Sequence, residues 1–218
     1  MTADPRRALI VRACSRGGAG GSPTAVVLDG GPFTAEERRA VPVACGTSHA
    51  VFVSARDGRA SLRFFTAKGE LPACGHGTVA ALAVLADRSG LPEYRTTLHA
   101  GGRSFAGRAV RRAGAFEARF DPGPVTLRET TASERDLVLP LFPAPAGPPV
   151  VAFVGRPRML IPVPSRAGLA AVSPDLGRLR RACDRLGLLG CYLNTVPTAE
   201  GRTAARMIGG PPCRRSVR

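Results

Sequence analysis

The chain has 218 residues, 44% of them hydrophobic, and a formal net charge of +15. That length allows one large domain or two small ones, with enough apolar residues for a substantial core. Arginine carries the charge, Lys68 being the sole lysine; the arginines are scattered, without zinc-finger spacing or aromatic interleaving, which excludes specific nucleic-acid recognition and leaves salt-sensitive adhesion to polyanions.

In chain order, Arg7 to Cys14 reads as a first strand around Ala8-Leu9-Ile10-Val11. Gly17 to Pro23 reads as a glycine-rich loop, with no lysine following at phosphate-loop spacing, and Ala25 to Leu28 as a second strand. Thr34-Ala-Glu-Glu37 is a capping box that opens a helix to about Cys45. Pro42 lies inside it, where a proline costs about 3 kcal/mol, so the helix is expected to kink or end early. Thr47 to Val53 is a strand. In the next, Leu62, Phe64 and Thr66 share one face, with Arg63 and Phe65 on the other.

A turn at Lys68-Gly69 leads to the small-residue knot Ala73-Cys-Gly-His-Gly-Thr78. Val79 to Ala86 is apolar all round, which predicts a buried helix far too short to span a bilayer. Strands follow at Tyr94–His99, Arg103–Val110 and Ala115–Phe120, joined by glycine turns. Asp121 to Pro124 marks a boundary, giving domains at residues 1–122 and 123–218. The proline-dense Asp136 to Pro149 reads as a surface or crossing loop. Val150 to Val163 gives two strands around a Gly-Arg-Pro interruption. Leu176, Leu179, Cys183 and Leu186 share one face of a helix, and Gly190 to Val196 is a strand.

The start of the buried helix is the first candidate site. Its leading amides have no intrahelical partner, glycine lets a ligand approach them, and the helix dipole favours an anion. The plainer alternative is that Thr78 caps the helix and the glycines only pack.

FFTAKGELPACGHGTVAALAVL resembles the signature of the PhzF-like isomerases, the phenazine-biosynthesis family. The knot alone also fits proline racemases, which share the fold. The resemblance extends through GRPRMLIPV and LGLLGCYLNTV in the second half. It implies an α/β (α+β) fold of the diaminopimelate-epimerase type: two barrel-like halves, each around a central helix, with the active site in the cleft between them. The family's Asp-Pro-x-Thr-Gly element, which opens the second central helix, has no counterpart after Ala205-Arg-Met207. The second half is therefore expected to be incomplete and open on one face, unless a partner chain or a rearranged tail fills it. The alternatives at that point are a degenerate gene product, a frameshifted tail, or a natural variant that dimerises.

The resemblance further implies an isomerase that moves a proton within a small carboxylated metabolite of secondary metabolism, without metal or organic cofactor. It places the catalytic acid/base at position 49, where the family has Glu and this chain has His49. It places substrate contact at Ser48, His76 and the helix start at Gly75, Gly77 and Thr78. A neutral imidazole is a competent base, but a satisfied strand histidine and a binding-only histidine remain open. So does a catalytically inactive remnant or ligand-binding homologue. In a third reading Cys74 serves as the thiolate of a racemase or epimerase, which would need a second cysteine opposite. The six cysteines are spread along the chain without a Cys-x-x-Cys pair, which argues against a disulfide scaffold and a zinc site. With no apolar signal segment at the N-terminus, the chain reads as reduced, cytoplasmic and free of the membrane, with a homodimer among the arrangements the resemblance allows.

Overall fold

The computed structural model describes residues 8–28, 31–154 and 156–209. They form two compact units that divide between Pro122 and Gly123.

The first unit is built on an eight-stranded sheet. Its strands are β1 (Ala8–Arg16), β2 (Ala19–Leu28), β3 (His49–Arg56), β4 (Arg59–Thr66), β5 (Gly69–Leu71), β6 (Glu93–Ala100), β7 (Arg103–Arg112) and β8 (Ala115–Phe120). The order is β1-β2-β3-β4-β6-β7-β8, with β5 paired on β4. Two helices, α1 (Ala35–Ala44) and α2 (Gly75–Ser89), make the crossovers of the parallel pairs β2–β3 and β4–β6. Helix α2 touches both edge strands, β1 and β8, as well as β2, β3 and β7, so the sheet curls around it. This is the half-barrel of the expected fold.

Strand alternation decides what faces the helix. Val51, Val53, Leu62 and Phe64 point inward and join Ala81, Leu82 and Leu98 in one core. Ala50, Phe52 and Phe65 point outward and pack with Val41 of α1. The two-faced reading of residues 62–66 therefore holds, with Arg63 outward and paired to Glu70.

Two expectations are corrected here. The supposed loop at 17–23 is mostly strand: β2 begins at Ala19, and the turn is Gly17-Gly18, whose φ values of 57° and 78° suit a tight hairpin. Pro42 does not end α1 early, since the helix runs on to Ala44. Both capping-box bonds form between Thr34 and Glu37, and Pro42 falls in the last turn, where only one interior hydrogen bond is forfeited.

The second unit has a five-stranded sheet: β9 (Thr126–Glu129), β10 (Val150–Val154), β11 (Arg156–Val163), β12 (Cys191–Thr195) and β13 (Ala205–Ile208), ordered β13-β12-β11-β10-β9. Helices α4 (Arg166–Ala171) and α5 (Leu176–Leu186) link the parallel pair β11–β12. Val151, Met159, Ile161, Leu179, Cys183 and Leu193 form its core. The residues that alternate with this core along the strands include Leu127, Leu160, Tyr192 and Met207, none of them fully buried.

The stretch read as a proline-dense loop begins instead with the end of α3 (Ala132–Val138) and a one-turn 3-10 helix at Leu139–Leu141. Helix α3 opens with a second capping box, Thr131 with Glu134, the same Thr-x-x-Glu pattern as at Thr34. Glu134 is buried and forms a two-pronged ion pair with Arg128. Leu176, expected on the buried face of α5, is 63% exposed because it is the helix's first residue after the Asp175 cap; Leu179, Ala182 and Cys183 carry that face. The segment after Gly209, with Cys213, lies outside the described residues. Among the described residues no helix is long and apolar enough to cross a membrane.

Candidate active site at the start of helix α2

The residues that carry the site all belong to the first unit. His49 is the first residue of β3 and shares its face with Val51 and Val53, so its ring turns toward α2. His76 is the second residue of α2. The two imidazoles meet edge to face, with centroids 4.4 Å apart and planes at 81°. Ser48 Oγ lies 2.8 Å from His49 Nδ1. When Nδ1 carries the proton and Ser48 accepts it, Nε2 is left with the free lone pair.

Cys74 caps the helix in extended geometry, φ −152° and ψ 106°, with no side-chain hydroxyl in that role. Its Sγ is 3.4 Å from His76 Nε2 and 3.7 Å from Nδ1. The Gly77 backbone amide favours the thiolate form of the same sulfur. The absent side chain of Gly77 makes this packing possible: a Cβ there would stand 2.9 Å from Phe64 Cδ1 and 3.2 Å from Cys74 Sγ. Thr78 is not the cap. It is buried, and both its amide and its hydroxyl donate back to the Cys74 carbonyl, each at 2.9 Å. Its donors are thus spent on the helix, while His49 and His76 remain partly exposed.

Burial sets the protonation states. Loss of hydration lowers His49 to about 4, and the neighbouring His76 pushes in the same direction. Burial also lowers His76. Both rings are therefore neutral at physiological pH. Burial pushes the Cys74 thiol up to about 11; the Gly77 amide opposes this, and nearby Cys14 adds to it. A thiol so placed is the reverse of the lowered thiolate that a cysteine-based racemase needs. Among the described residues the second unit's cysteines, Cys183 and Cys191, are both buried.

The structure thus brings together Ser48, His49, Cys74, His76 and the first amides of α2. The sequence reading placed His49 and His76 in one site by resemblance and treated Cys74 as a rival base. It missed that all three converge. The signal was present: His49 has the parity of Val51, and Cys74 and His76 bracket a helix start. A separate depression of about 620 Å³, lined by Gly58, Thr96, Gly107 and Arg108 among others, holds none of these side chains.

Comparison with known proteins shows the family and the fold. The family model "Phenazine biosynthesis-like protein" (PhzC-PhzF) matches residues 11–211. An uncharacterized isomerase, YfhB, of Bacillus subtilis strain 168 is 34% identical over 77 residues, which span 35% of this chain and 26% of that protein. A predicted epimerase from Pseudomonas aeruginosa superposes with a TM-score of 0.75 at 26% identity, covering 86% of this chain and 69% of that one. A PhzF-family protein from Bacillus anthracis superposes at 0.74 with 17% identity, covering 93% and 71%.

Proposed function

The chain belongs to the phenazine biosynthesis-like (PhzC-PhzF) family, and on that premise we propose that it is an isomerase that shifts a proton between carbons of a small carboxylated metabolite. One observation carries the reading. The residue at the family's acid/base position, His49, stands against His76 at the amides that begin α2. His49 is the base. Ser48 holds its Nδ1, and Nε2 takes the proton from one carbon and returns it to another. His76 and the Gly75–Gly77 helix start hold the substrate carboxylate, where the helix dipole stabilises negative charge.

The low proton affinity of His49 in the free chain fits this role. A desolvated imidazole is a weak base until an anion binds beside it; the substrate carboxylate then favours the imidazolium and restores basicity when it is needed. A setting in secondary metabolism, a cytoplasmic location and a homodimer belong to the same proposal.

The test is deuterium wash-in. The chain is incubated in heavy water with a panel of small unsaturated carboxylates and followed by proton NMR. Exchange at a carbon next to the double bond, reduced at least about 100-fold in His49→Ala, supports the assignment. Equal exchange in both proteins removes His49 as the base. A carboxylate that raises the melting temperature without any exchange makes the chain a binding homologue.

A further inference from the structure

We propose that His49, Cys74 and His76 form a binding site for a transition-metal ion of the zinc class, with one coordination position left open. Each residue offers one ligand atom, and these atoms all lie within 4.8 Å of one another. Tetrahedral zinc holds nitrogen at about 2.0–2.1 Å and thiolate sulfur at about 2.3 Å, which separates neighbouring ligand atoms by about 3.3–3.6 Å. The edge from Cys74 Sγ to His76 Nε2, at 3.4 Å, already has that length. A swing of the partly exposed His49 ring brings the third ligand in.

The donor chemistry selects the metal. One thiolate and two imidazoles suit zinc and its cobalt surrogate, whereas magnesium and calcium require oxygen ligands that this trio lacks. Ser48, 2.8 Å from His49 Nδ1, supplies the outer partner that orients a ligating imidazole. The frame is stiff. His49 starts a strand whose next four residues are buried, and Cys74 and His76 lie in a helix start seated on Phe64. On binding, the Cys74 proton passes to solvent, and the ion's remaining positive charge leaves the open position suited to water or a carboxylate.

This inference stands without the proton-shift reading. Where both hold, the ion takes the His49 lone pair that the shift requires, so zinc inhibits isomerisation.

The experiment titrates the full chain, freed of metal by chelation, with cobalt(II) and then zinc. We expect one cobalt per chain, with the visible bands of a tetrahedral ion and a thiolate-to-cobalt charge-transfer band, both abolished by one equivalent of zinc. His49→Gln and Cys74→Ala each weaken binding by at least about 100-fold, and Ser48→Ala by about 10- to 100-fold. His99→Gln, and Cys183→Ser with Cys191→Ser, leave it unchanged. Absence of the charge-transfer band in the parent overturns the proposal. So does tight binding that survives both His49→Gln and Cys74→Ala, or that disappears with the Cys183/Cys191 pair. Circular dichroism melts accompany each variant. Where Cys74→Ala unfolds, His49→Gln at the partly exposed position decides, and the parent's spectrum decides independently of any variant. Because the readout is binding, a failed proton-shift assay leaves it unaffected.

Discussion

A histidine pair held neutral by burial should make the protein acid-sensitive in a defined window, and His49→Gln should remove part of that sensitivity. His49 titrates near 6.5 in an unfolded chain and at about 4 in the fold. Between those values the unfolded chain binds more protons than the folded one, so stability rises with pH. The contribution is complete above about pH 6.5 and is lost as the pH falls through about 4. Each pKa unit corresponds to about 1.4 kcal/mol, and solvent access to the ring reduces the full shift to about 1–2 kcal/mol. The assay is urea unfolding at intervals from pH 7.5 to 4, with chelator present, on the parent and on His49→Gln. The parent should lose about 1–2 kcal/mol more than the variant across that range. Parallel curves would show that His49 is hydrated in the folded state, and with it would go the account of a desolvated base.

Three further outcomes follow from the packing. Gly77→Ala would gain about 1 kcal/mol of helix propensity but must push a methyl group to within 2.9 Å of Phe64; we expect a net loss of about 1–2 kcal/mol by thermal melt, together with displacement of His76 and loss of cobalt binding. Glu134→Ala removes the reciprocal cap of α3 and leaves Arg128 without its buried partner, which should cost about 2–3 kcal/mol in the second unit, read by urea unfolding. Leu82→Ala opens a cavity against the fully buried inner core and should cost about 2–5 kcal/mol in the same measurement on the first unit.

The sequence by itself determined the family, the fold class and most of the elements, because each rests on a local pattern. Alternation at Leu62–Thr66 fixed which side chains enter the core, the apolar run after Thr78 fixed a buried helix, and Thr34 with Glu37 fixed a helix start. Where local signals conflicted the reading failed: the prolines after Asp136 hid the capping box of α3, and the glycines after Arg16 suggested a loop where a hairpin forms. Only the tertiary structure decided the chemistry of the site. That His49 meets His76, that Cys74 Sγ joins them, and that burial keeps both rings neutral and the thiol protonated all depend on the sheet curling around α2. Residues 49 and 74 are far apart in sequence, so no spacing rule links them. Their contact is set by the parity of β3 and by the close seat that Gly77 gives the helix on Phe64.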